Sequence, residues 1–172
     1  MYAQVKSGTL YGLVSEQVTV ETDLSPGLPS FNVVGLPDAT VREAKERIRA
    51  AIVNSGFKFP AKRITINLVP AGTKKEGTHF DLPIAVGIMI SIELIRTVRT
   101  SEFAFLGELS LDGSVNRING ALPLVIGLRK QGIKKIMLPA ANAEEASAVD
   151  DILLYPVRNL WELAAYFEGG YE

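Results

Sequence analysis

From Leu82 to Ile95 the chain is almost wholly apolar, interrupted only by Pro83, Gly87, Ser91 and Glu93. A segment with no side to offer to water must be enclosed by the rest of the molecule. It is too short to cross the roughly 30 Å hydrocarbon layer of a membrane. A buried core helix is therefore expected. At 172 residues, 47% hydrophobic and 22% charged, the chain can bury a sizeable core as one domain or two tightly packed lobes.

The flanking pattern supplies the layers for that enclosure. Gln4–Lys6 and residues 10–14 alternate loosely around Gly8, and Gln17–Asp23 alternates cleanly, so the first forty residues read as β-structure. A turn at Ser25–Pro29 precedes a short strand over Phe31–Val34. Asp38 is placed to cap a helix to about Asn54, stopped by Gly56, with Val41, Ala44, Ile48, Ala51 and Ile52 as its buried stripe. Strand Ile64–Val69 and a loop from Pro70 to His79 lead to the apolar helix. Beyond it we expect a strand at Phe103–Leu106 and a hairpin turning at Asp112-Gly113. A helix over Ala121–Lys130 and a strand at Lys135–Leu138 follow. Asn142 then caps a short helix to Val149, and strand Ile152–Tyr155 and helix Leu160–Phe167 complete the pattern.

Several chemistries are excluded by residue type. The chain has no cysteine, which removes disulfides and thiolate metal sites and suits a cytoplasmic location. With His79 as the single histidine, a histidine-built zinc site is excluded too, so no metal ligands are assigned. The N-terminus lacks the basic-then-apolar pattern of a signal peptide, and no membrane partner is expected.

The loop after Val69 comes nearest to a reactive site. Gly72 and Gly77 have the spacing of a phosphate-binding loop between strand and helix, but Thr78 and His79 stand where Lys and Ser or Thr would be required. Lys74 and Lys75 lie inside the loop and cannot substitute, which leaves a flexible surface loop as the ordinary reading. A Ser-His-Asp triad would have to use His79, and Asp81, two residues on, would point elsewhere. No serine sits in a Gly-x-Ser-x-Gly elbow. His79 and Asp81 read instead as caps of the following helix. Glu76, Asp81, Glu108 and Asp112 read as solvated turn residues rather than as a working carboxylate pair.

Charge is unevenly distributed. Residues 42–75 hold nine Lys or Arg against Glu43 and Glu46, a window of +7 in a chain of net charge -1. Arg42, Lys45 and Arg49 share a helical face, and Lys58, Lys62, Arg63, Lys74 and Lys75 follow. These eight are the candidate DNA-contact residues, since such a patch can neutralise several phosphates. The competing reading is a solvated face with local ion pairs such as Glu43 with Arg47. No aromatic is expected to stack bases among these cations, so base-specific or single-strand readout is not anticipated.

The segments Pro29–Asp38, Val41-Arg42-Glu43, Arg47–Ile52 and Arg63–Ala71 resemble the N-terminal domain of the ComM/YifB family. So do Lys75-Glu76-Gly77, Phe80–Ala85, Phe105–Gly113 and Asn142–Ala146, and the similarity covers essentially the whole chain. These magnesium-chelatase-like proteins are bacterial AAA+ ATPases. ComM is associated with natural transformation and recombination as a hexameric DNA helicase promoting branch migration. The resemblance implies an α+β, two-layer α/β sandwich of the kind in the Lon proteolytic domain, the RadA C-terminal domain and the second domain of ribosomal protein S-five. That domain would span residues 1–168, with 169–172, beginning at Gly169-Gly170, starting a linker to an AAA+ module. ATP and magnesium would belong to that module and no cofactor to this domain. Its partners would be the module itself, further copies of the chain (a hexamer in the parent), and DNA.

Lon-type proteases use a Ser-Lys dyad. The serine segment is similar to Gly77–Asp81, which puts His79 at the serine position, and the lysine segment is similar to Asn119–Leu122, which puts Leu122 at the lysine position. Because a hydroxyl nucleophile needs a nearby base, the resemblance implies a degenerate dyad and a domain without catalysis. Two rival readings stay open: a diverged peptidase using Thr78 or His79, and a purely structural oligomerisation module.

Overall fold

The computed structural model describes residues 1–12 and 14–168, with backbone only at 97 and 98. The expected linker at 169–172 lies outside the described residues. Strands β1 (Tyr2–Tyr11) and β2 (Val14–Ser25) form one long antiparallel ribbon, in register from Tyr2↔Asp23 to Tyr11↔Val14. Strict alternation buries Ala3, Val5, Val18 and Val20 on one face of it. On one flank, β4 (Arg63–Val69) pairs antiparallel with β2, and β3 (Ser30–Val34) lies parallel to β4 at the edge. On the other flank, β5 (Phe103–Phe105), β8 (Lys135–Pro139) and β9 (Leu153–Val157) continue in parallel. The result is a mixed seven-stranded sheet in the order β3-β4-β2-β1-β5-β8-β9. β6 (Glu108–Leu109) and β7 (Val115–Asn116) form the small hairpin turning at Asp112-Gly113.

Helices α1 (Ala39–Asn54), α2 (Asp81–Ser91) and α6 (Leu160–Glu168) share the core on one face of the sheet. Asp38 caps α1 as expected, its Oδ1 accepting from the Val41 N–H at 2.9 Å. Every residue of α2 is buried, which is the enclosure that the apolar run demanded. Helix α4 (Ala121–Lys130) lies on the opposite face with the short α5 (Ala143–Ala146), and α3 (Thr97–Thr100) is a single turn. The alternation of β5 shows the two sides, with Phe103 and Phe105 packed in the α2 core and Ala104 and Leu106 in the α4 core. The class is α+β as expected. Two layers suffice over β3 and β4, while α4 covers the opposite face of β1 and β2 and shares a second core with β5 and β8.

Two local expectations need correction. Asn142 stands at the cap position of α5 but makes no capping bond; its amide instead clamps Ile118, accepting from N–H at 2.9 Å and donating to C=O at 3.0 Å. The loop from Pro70 to His79 is anchored rather than free. Asp38 N–H donates to Lys75 O at 2.9 Å, and Lys75 N–H donates to Leu36 O at 3.0 Å.

Candidate functional site

The entry to α2 is where a dyad would lie. Gly77 adopts φ 105°, and a Cβ there would fall 2.8 Å from Nδ1 of His79, so glycine is what lets the chain turn back over the ring. A 3₁₀ turn over Thr78–Phe80 leads into the helix. His79 does not cap that helix. Its ring is buried, lies 4.3 Å from the Phe80 ring centroid, and has Nε2 2.7 Å from Gly8 O. A carbonyl can only accept, so Nε2 carries the proton. Burial pushes the imidazole down to about 4, against the pull of the Gly8 carbonyl and of Asp38, and the ring is neutral at neutral pH.

Asp81 is neither a cap nor a solvated turn residue. Its side chain is 1% exposed and receives Arg47 from across the α1–α2 interface, Nε to Oδ2 at 2.8 Å and Nη2 to Oδ1 at 3.0 Å. The Leu109 N–H donates to the same Oδ2 at 3.0 Å. Burial pushes this carboxyl up and the Arg47 and Leu109 hydrogen bonds pull it down, with burial the larger influence. Arg47 therefore pairs with Asp81 and not, as local spacing had it, with Glu43. The pair locks α1, α2 and β6 together.

Leu122 is half-buried in the first turn of α4, after Gly120 in the left-handed conformation. A small recess of about 170 Å³ beside His79 is lined by Thr40, Gly77, Thr78, His79, Ile118 and Asn119, and Leu122 does not reach it. That set holds two hydroxyls, of Thr40 and Thr78, beside a neutral imidazole, with no amine and no carboxylate.

The basic residues separate into distinct environments. Lys75 is wholly buried, its Nζ donating to Gly35 O at 2.8 Å and to Pro70 O, so it holds backbone and leaves the set of surface contacts. Burial holds its ammonium below the usual lysine range. Lys74 forms an exposed pair with Glu76 at 3.3 Å, and Arg42 donates to Pro37 O at 2.7 Å. Lys58 and Arg63 are exposed. Lys45, Arg49 and Lys62, by contrast, converge on one open groove of about 580 Å³ between α1, the edge strand β3 and residues 59–62. Lys45, Arg49 and Val53 recur every fourth residue and form the α1 wall. Phe31 and Phe59 form the opposite wall, their ring centroids 5.8 Å apart at 30°. The expectation that no aromatic accompanies the cations is thus overturned. Phe59 stands between Lys58 and Lys62 in the sequence, which was the available signal; Phe31 arrives only through the β3–β4 pairing.

The mixed sheet with α2 sealed against it defines an α+β sandwich of the Lon-like type, consistent with 31% identity over 110 residues to a mitochondrial Lon protease homolog of Phaeodactylum tricornutum (64% of this chain, 12% of that protein). The profile of the family described as subunit ChlI of Mg-chelatase matches residues 20–142. The competence protein ComM of Haemophilus influenzae is 40% identical over 167 residues, 97% of this chain and 33% of that protein. YifB of Escherichia coli is 38% identical over 158 residues, 92% of this chain and 31% of its own length. The chain belongs to the magnesium-chelatase-like ChlI family, and it spans about a third of the length of the curated relatives it matches.

Proposed function

We propose that this chain is the non-catalytic N-terminal domain of a cytoplasmic AAA+ ATPase of the ComM kind, a hexameric DNA helicase acting in branch migration. In this reading the domain helps the ring assemble and guides DNA toward or away from the motor, while ATP and magnesium are handled by the AAA+ module. The observation that carries it is the pair of dyad positions. A buried, neutral His79 already bonded to Gly8 O stands at one, and Leu122 at the other. Thr40 and Thr78 supply the hydroxyls of the recess, and no lysine or carboxylate lines it to take a proton from either. No metal insertion is assigned to this segment.

Support for contact with DNA comes from the grouping of Lys45, Arg49 and Lys62 on one groove, with Arg42, Lys58, Arg63 and Lys74 exposed outside it. The test of the non-catalytic part is direct. The pure chain is expected to show no ATP turnover, no casein cleavage and no labelling by a fluorophosphonate probe beyond the level of a Thr78→Ala variant. Labelling or cleavage that Thr78→Ala abolishes would establish the diverged peptidase instead.

A further inference from the structure

Resting on the reading that this domain contacts nucleic acid, we propose that the groove between α1 and β3 is a single-strand site that takes an unpaired base against Phe31 and Phe59 and its flanking phosphates on Lys45, Arg49 and Lys62. Its volume of about 580 Å³ falls within the roughly 300–1,000 Å³ typical of small-ligand sites. Both rings are half-buried, packed on the core from behind, with their remaining surface turned to the groove. A platform fixed in this way loses little conformational freedom when a base lies on it.

The charge is arranged for the same occupant. Three cations face one carboxylate, Glu46, whose contact with Arg49 is 3.8 Å between side chains 83% and 56% exposed. An exposed pair at that distance contributes little, and a phosphate can displace it. An apolar wall with Lys45 and Arg49 facing it from α1 and Lys62 beside Phe59 fits a nucleotide, which presents a π-face and an anion together. Duplex DNA shows only phosphates outside its grooves and cannot present a base to a recess of this kind without unpairing it. The groove also lies at the edge of the sheet, because among the described residues β3 pairs with β4 alone, so a nucleic-acid strand can run past without crossing a further strand of the sheet.

The probe is a fluorescent oligo-dT whose anisotropy is followed on the whole chain at low salt, beside a duplex of equal length and free thymidine monophosphate as competitor. We expect the single strand to bind more tightly than the duplex and Phe59→Leu and Phe31→Leu each to weaken it about tenfold, as loss of base stacking does. Duplex binding should be unchanged by either. Leucine keeps most of the packing volume, and a circular-dichroism melt reports whether each variant is folded. Should either fail to fold, a 5-iodouracil oligonucleotide cross-linked to the unmutated chain is expected to attach at Phe31 or Phe59 by peptide mapping. Single and duplex DNA bound equally, with charge-sensitive but phenylalanine-insensitive affinity, would overturn the base site and leave DNA guidance standing. No salt-dependent binding of either nucleic acid would overturn both. Displacement by thymidine monophosphate at concentrations comparable with the oligonucleotide would assign the groove to a free nucleotide and overturn the strand site, as would cross-links mapping elsewhere.

Discussion

Arg47 and Asp81 are 34 residues apart in sequence and joined by two hydrogen bonds across a helix interface. Removing the arginine would strand a carboxylate that is 1% exposed. Arg47→Met is therefore expected to destabilise the chain by about 3 kcal/mol, the lower end for breaking a buried pair because Arg47 itself is partly solvated. Urea unfolding at pH 7 measures it, and a change within about 0.5 kcal/mol, as for an ordinary surface substitution, would contradict the locking role. His79 makes a second residue-scale prediction. Its ring ionises at about 4 when folded and near the ordinary 6.5 when unfolded, so the unfolded chain binds the extra proton. Its contribution is complete above about pH 6.5 and is lost as pH falls toward 4, by up to about 3 kcal/mol at 1.36 kcal/mol per unit. The loss of unfolding free energy between pH 7 and 4.5 should be smaller in His79→Gln, which keeps a donor for Gly8 O. An equal pH slope in both proteins would show that His79 is not buried neutral.

At the scale of elements, the helix–sheet contact turns on Gly87. A Cβ there would lie 2.4 Å from Oγ1 of Thr22, a buried, β-branched side chain on β2 that cannot swing away freely. Glycine in mid-helix ordinarily costs about 1 kcal/mol relative to alanine. Gly87→Ala should nonetheless destabilise, by about 1–3 kcal/mol, because overpacking outweighs the gain in propensity. Adding Thr22→Ala should restore much of the loss, a non-additivity that a double-mutant cycle reads directly. If Gly87→Ala alone raises stability, α2 does not lie as close to the sheet as described. Elements of this kind were the legible part of the sequence. The apolar run of α2, the stripe and Asp38 cap of α1 and the Asp112-Gly113 turn are local patterns, each written within a single contiguous segment of the chain. Asp81 and Asn142 were misread for the converse reason: both stand where a cap would stand, and each is claimed by a distant partner, Arg47 or Ile118, that spacing alone cannot bring near.

For the molecule as a whole, the +7 window was visible as a number but not as a surface. Folding sorts its members into a buried backbone clamp at Lys75, an interhelical lock at Arg47 and a groove rim at Lys45, Arg49 and Lys62. The groove itself was illegible because it needs β3 laid beside β4, a pairing between segments some thirty residues apart. The central proposal is that this domain holds nucleic acid without transforming it. Its most direct test is the salt dependence of oligo-dT binding by the chain and by the triple variant Lys45→Glu, Arg49→Glu, Lys62→Glu. Three phosphate contacts predict a slope of log affinity on log salt of about -2 for a single strand, lost together with binding in the triple variant. An affinity and slope that survive the triple reversal unchanged would contradict the account.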